Sequence, residues 1–168
     1  MNIIWGAILI IISLLGWLGQ VITALSPTVA TRLGVTEPEA AVDPTFYADV
    51  RGEAIWDALT LWTLPVAGIL LVVDSPFWIY FGLVGGGMYL YFAGRGIAVR
   101  MVMHRRGIRI GQPETLTVVY VFLTLWGLTA VVTIIMTVAA LPSLGQSPAC
   151  QRHHFYSSGA WIGTLHTT

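Results

Sequence analysis

The sequence is dominated by four long apolar segments, each close to the length that a helix needs to cross a bilayer. They cover residues 3–25, 54–73, 77–103 and 116–141. A transmembrane helix takes about 20 predominantly apolar residues. A helix also satisfies its own backbone hydrogen bonds, which lipid cannot do. The segments therefore predict an all-α membrane protein with a four-helix transmembrane bundle.

Composition excludes several other classes of protein. Charged residues make up 10% of the chain and hydrophobic residues 56%, whereas an ordinary soluble domain carries about 25% charged residues. The eight basic residues, all arginine, equal the eight acidic ones in number. This balance is typical neither of a basic nucleic-acid-binding protein nor of an acidic disordered chain. We expect the lipid bilayer as a partner, together with other membrane subunits or further copies of the chain, and no nucleic acid.

Prolines and short polar stretches mark the ends of the predicted helices. Asp43 and Pro44 form a helix start, so the second helix begins at residue 44 in a loop or at 54 in the membrane. The three-residue linker 74–76 predicts a tight antiparallel hairpin of the second and third helices. The predicted helices are 3–25, 44 or 54 to 73, 76–103 and 114–141, in a transmembrane domain 1–142 followed by a loosely ordered polar tail 143–168.

Local features of the first and second segments add to these predictions. The first segment has no basic residue before it and no clear small-residue cleavage site after it, so we expect a retained helix rather than a signal peptide. Pro65 lies within the second segment, lacks the N–H that would bond the Leu61 carbonyl, and predicts a kink.

The arginines predict the orientation of the chain. A cluster of basic residues follows the third segment, and cytoplasmic loops carry an excess of such residues. We therefore expect the loops 26–50 and 104–113 to be cytoplasmic and both termini to lie outside, in a bacterial cytoplasmic membrane. Three of these arginines also predict contact with lipid headgroups: Arg105, Arg106 and Arg109.

The few ionisable residues at membrane depth are the candidate site. Glu53 and Asp57 lie four residues apart on one helical face, which Thr60 continues. Counted from the linker, they fall at the depth of Arg95 and Arg100 on the third helix, with Tyr91 on the Arg95 face. Two acids facing two guanidinium groups predict either a structural clamp between the helices or a polar pocket. Such a pocket would be open to an anionic headgroup, a quinone, another small substrate or protons.

The third segment is rich in glycine. Gly82 and Gly86 have the spacing that permits close helix packing. The alternative is a helix broken at residues 85–87, whose freed backbone groups would bind an ion or substrate.

The histidines limit the possible cofactors. His104 lies at the end of the third segment, and His153, His154 and His166 lie in the tail. No pair lies within a span, so we expect no intramembrane bis-histidine haem. No metal-ligand spacing or catalytic motif occurs in the segments. The sequence identifies neither a cofactor nor a catalytic residue.

These observations favour a non-enzymatic accessory or scaffolding subunit of a membrane complex. The alternative is a small-molecule, lipid or proton-handling carrier that uses the charge cluster. A membrane enzyme acting on lipid headgroups is a third class, but it would need a nucleophile or a metal site.

Overall fold

The computed structural model describes residues 2–144, and this part of the chain is helical, without strands. The predicted tail lies almost entirely outside the described residues. The described elements are α1 (Asn2–Leu25), α2 (Pro27–Arg32), a 3₁₀ turn (Glu39–Ala41), α3 (Pro44–Thr60), α4 (Thr63–Val72), α5 (Trp78–Arg105) and α6 (Pro113–Leu144).

Three helical stretches of the described chain are long and apolar enough to cross a membrane. They are Ile3–Leu25, Pro44–Val72 and Pro113–Leu141. The predicted membrane class agrees with this finding. The remaining predicted span, the third along the chain, corresponds to α5, which has 28 residues but also six glycines and two arginines before its last turn. These residues make α5 less apolar than the other three stretches.

The second span consists of α3 and α4, with an interruption at Leu61 and Trp62. Pro65 has no N–H to donate to the Leu61 carbonyl, and the Leu64 N–H reaches that carbonyl at 3.4 Å instead. The interruption therefore lies where the proline predicts a kink. At the other end, the side chain of Asp43 accepts a 2.8 Å hydrogen bond from the Thr45 N–H, so α3 begins at the predicted cap.

The helices α4 and α5 form an antiparallel pair joined by residues 73–77. Asp74 has a φ of 56°, a left-handed conformation that aspartate tolerates better than most residues. Gly85 of α5 lies directly against the backbone of Leu64 in α4. The α5 helix is continuous through residues 85–87. These glycines therefore belong to an unbroken helix, and Gly85 and Gly86 serve close packing.

The hydrophobic core is formed by residues of α1, α4, α5 and α6 and of the interruption before α4. α5 packs against α4 on one side and α6 on the other, while α1 packs against α3 and α4. The backbones of α1 and α4 cross closely at Gly6 and Gly68, where either added Cβ would lie within 3.0 Å of the other glycine's carbonyl oxygen. The core side chains are mainly leucine and aromatic: Leu9, Leu61, Leu64, Leu71, Tyr89, Phe92 and Leu123.

The loops before α3 and after α5 meet at one end of the helices. The Asp43 N–H donates to the Arg109 carbonyl at 2.8 Å, and the Gln112 N–H donates to Glu37 Oε1 at 3.2 Å. A small apolar cluster of Val42, Phe46 and Ile110 fills the space between them. This joined end, which we call the loop end, also contains α2, a short helix that the sequence pattern did not predict.

Candidate functional site

Arg95 holds two acidic residues of α3 close to the loop end. Its Nη2 donates a 2.5 Å hydrogen bond to Asp49 Oδ1. Its Nη1 lies 2.8 Å from Glu53 Oε1, an ion-pair distance without hydrogen-bond alignment. The Arg95 and Asp49 side chains are about a quarter exposed, whereas that of Glu53 is 8% exposed. These contacts join α3 to α5 in the manner of a clamp.

Asp57 lies one turn deeper on α3 and is not part of this clamp. It is 2% exposed, and its Oδ2 has no hydrogen-bond partner. Within residues 2–144 no arginine reaches the ion-pair distance to it. The sequence register predicted Asp57 beside Arg95. Instead, the long Arg95 side chain reaches toward the loop end, where its charge is nearer to water.

Arg100 is the second cation of the predicted cluster, and its surroundings differ from those of Arg95. Its Nη1 donates a 2.9 Å hydrogen bond to the Gly96 carbonyl of its own helix. Its guanidinium carbon lies 5.5 Å from the centre of the Phe46 ring, a cation–π distance. In the described part of the chain no carboxylate lies within 4.0 Å of it.

A cavity of about 320 Å³ lies beside Glu53 and Arg100. We call it the lateral cavity. Its rim carries the exposed apolar side chains of Leu15, Val118 and Phe122. Its other lining residues come from α1, the 34–36 loop, α3, α5 and α6: Gly16, Gly19, Gln20, Thr23, Gly34, Val35, Thr36, Val50, Glu53, Phe92, Arg100, Val119, Leu123 and Trp126.

Two hydrogen bonds between helices lie at the floor of the lateral cavity. Trp126 Nε1 donates a 2.9 Å hydrogen bond from α6 to the Ile12 carbonyl of α1. The Tyr89 hydroxyl, on a fully buried side chain, donates at 2.5 Å to the Ser13 carbonyl. Gly16 leaves room for both rings, since an added Cβ would lie 3.1–3.2 Å from each. The helices α1 and α6 are thus joined at this level, and the cavity lies between them on the loop-end side.

The remaining predicted residues lie apart from the cluster. Thr60 donates to its own helix at the Trp56 carbonyl, 3.0 Å away, and Tyr91 is 56% exposed. The arginines predicted to contact headgroups are exposed at the loop end: Arg105, Arg106 and Arg109.

His153, His154 and His166 lie outside the described residues. Within residues 2–144 no group of three or more His, Cys, Asp or Glu side chains could hold a metal ion.

Sequence reasoning missed three contributors to the site. Asp49 lies four residues before Glu53, so the spacing of the acids carried a signal. The predicted 26–50 loop includes Asp49, whereas the structure places it in α3. Phe46 and Trp126 carried no signal, because aromatic residues at these spacings are ordinary packing residues.

No protein-family model matches the chain, and neither a curated protein nor a solved structure is significantly similar to it. The clamp and the lateral cavity are therefore the features of the chain that bear on its function.

Proposed function

We propose that this chain is a four-helix integral membrane protein that binds an amphipathic small molecule in the lateral cavity, as a small-molecule or lipid carrier would. The observation that carries the proposal is the cavity itself, about 320 Å³ in volume. Ligand pockets begin at about 300 Å³ and combine an apolar lining with a few fixed polar groups.

The distribution of polarity around the cavity supports an amphipathic occupant. Phe122, Val118 and Leu15 line its rim, while Glu53 and Arg100 lie in its wall. Intramembrane ionisable groups are costly to retain and usually serve a pathway or a ligand. Arg95 holds Glu53 in place from the other side, so the polar wall is ordered before a ligand arrives.

The four-helix arrangement is part of the proposal. With 28 residues, α5 is long enough to span a bilayer, and it packs along both α4 and α6. Its arginines lie in its second half, near the loop end. By the positive-inside rule the loop end then faces the cytoplasm, and both termini lie outside in a bacterial cytoplasmic membrane.

The test is to fill the cavity and ask whether a bound amphiphile is lost. A Cβ at Gly19 would make ordinary contact with Val35 at 3.6 Å, so Gly19→Leu should place its side chain in the cavity without breaking the helix. Gly94→Leu is the matched control, because nothing lies within 4 Å of a Cβ there. Each variant is purified in mild detergent, and its bound molecules are extracted and measured by mass spectrometry.

We expect an amphiphile to co-purify in near-equimolar amount with the wild type and Gly94→Leu, and to be lost from Gly19→Leu. Equal recovery from both variants, or no amphiphile on the wild type, would contradict the proposal. The accessory-subunit function remains a prediction from the sequence. The same purification tests it, since other polypeptides would then appear in the same peak at a mass above 18.3 kDa.

A further inference from the structure

We infer that the occupant of the lateral cavity is a single-chain carboxylate, a fatty acid or a molecule of that class, whose carboxylate binds Arg100. This inference rests on the proposed function, which requires only that the cavity take an amphiphile. It adds the charge, the headgroup chemistry and the orientation of that ligand.

Arg100 is a cation in the cavity wall that forms no ion pair with an acid of the described chain. Both nearby carboxylates, Asp49 and Glu53, are held by Arg95. Of the five N–H donors of a guanidinium, Arg100 uses one at the Gly96 carbonyl, and the Phe46 ring faces the group without accepting a conventional hydrogen bond. The other donors have no hydrogen-bond acceptor among the described residues, and Arg100 lines the cavity, so a ligand there can supply one to a cation that is costly to keep at membrane depth.

A carboxylate is the acceptor that fits this place. Its two oxygens match the guanidinium fork, which binds planar carboxylates in a bidentate manner. Glu53 also lines the cavity, and its negative charge opposes a second charge on the ligand. A headgroup with one negative charge is therefore favoured over a phosphomonoester.

The shape of the cavity favours one chain and sets its direction. Its volume is near the lower end of the range for ligand pockets, which suits one acyl chain better than two. Along α1 the lining runs from Thr23 to Gly16, roughly 10 Å at the helical rise per residue. Arg100 lies near the loop end, so the chain would point toward Trp126, and a longer chain would leave past Leu15 and Phe122 into the bilayer.

The experiment uses the full chain in phosphatidylcholine nanodiscs and measures the fluorescence of Trp126. This fluorescence is the difference between the signal of the protein and that of its Trp126→Phe variant. The probes are stearate with a nitroxide quencher near the middle of its chain, at the depth expected for Trp126, and the methyl ester of the same molecule. Arg100→Gln tests the headgroup contact. Arg105→Gln is the matched control, because Arg105 is exposed on the same helix.

We expect the wild type and Arg105→Gln to bind the carboxylate about 10-fold or more tightly than the ester, as a charge-assisted contact implies. Arg100→Gln should bind the two probes equally. Should this variant fail to fold, Arg100→Lys, which keeps the charge but not the fork, should retain a smaller preference. The comparison of the two probes on the wild type needs no variant of Arg100.

Other outcomes separate the inference from the proposed function. Equal binding of acid and ester by the wild type would overturn the carboxylate inference and leave the amphiphile site intact. Displacement of the probe by phosphatidylglycerol, or by acetate or inorganic phosphate without a chain, would overturn the choice of a single-chain acid. Quenching that is equally weak in the wild type and in Gly19→Leu would overturn both proposals.

Discussion

Gly85→Ala should destabilise the protein by separating α4 from α5, whereas Gly87→Ala, two residues further along the same helix, should not. A Cβ at Gly85 would lie 2.7 Å from the Leu64 nitrogen and 2.8 Å from its Cα, both backbone atoms. A Cβ at Gly87 would meet nothing within 4 Å. The pair therefore compares the same chemical change with and without a neighbouring helix.

The magnitude follows from the distance that the helices must move. Ordinary contact begins at 3.4 Å, so at the closest atom the two backbones must separate by about 0.7 Å, a shift that costs about 1–3 kcal/mol in a packed core. Both variants gain the helix propensity of alanine over glycine, about 1 kcal/mol. Because that gain is shared, the difference between them isolates the steric cost.

The assay is reversible unfolding by SDS in mixed micelles, followed by far-ultraviolet circular dichroism. We expect the free energy of unfolding of Gly85→Ala to lie about 1–3 kcal/mol below that of Gly87→Ala. Equal stability of the two variants would refute the reasoning. It would mean that α4 and α5 do not meet at this glycine, and the hairpin register would have to be redrawn.

Three further predictions concern the charged residues and the orientation of the chain. Arg95→Met should lower the free energy of unfolding by about 3 kcal/mol, because it leaves two acidic partners unpaired. Arg106→Met, at an exposed position, should change this free energy little. Equal losses for the two variants in SDS titrations would argue against the clamp. Asp57→Val, an apolar change closer in size than leucine, should raise the free energy of unfolding by about 1–3 kcal/mol, because a buried carboxyl oxygen without a partner is removed. A loss of stability would point to a partner for this carboxyl. In intact cells a membrane-impermeant maleimide should label Cys150. In a variant that combines Arg106→Cys with the removal of Cys150, the new cysteine should be labelled only after lysis. The reverse pattern would invert the proposed orientation.

The helical membrane character of the chain is present in its sequence, because it depends on local properties. The apolar segments have the length of membrane spans, Asp43 with Pro44 starts α3, and Pro65 accounts for the interruption before α4. The cap and the proline act within one or two helical turns, and the length of an apolar segment is a property of that segment alone. Contacts with other parts of the chain have little influence on these effects, so the sequence alone predicts where the helices lie, where α3 starts and where the second span is interrupted.

The partners of the charged residues were decided only by the tertiary structure. The count from the linker gave the depth of Arg95 to within about a turn, but the side chain reaches past Asp57 to Glu53 and Asp49. The direction of a long side chain depends on where water and opposite charge are available, and this information lies on another helix.

The lateral cavity is even harder to predict from the sequence than these ion pairs. It exists because α1 and α6 are joined at the level of Trp126 and Ile12 while a space between them remains on the loop-end side. No single segment encodes that space, since it depends on the angles and contacts of several helices at once. Sequence determined that this chain is helical and apolar enough for a membrane, and packing alone decided that Arg100 lies beside a cavity.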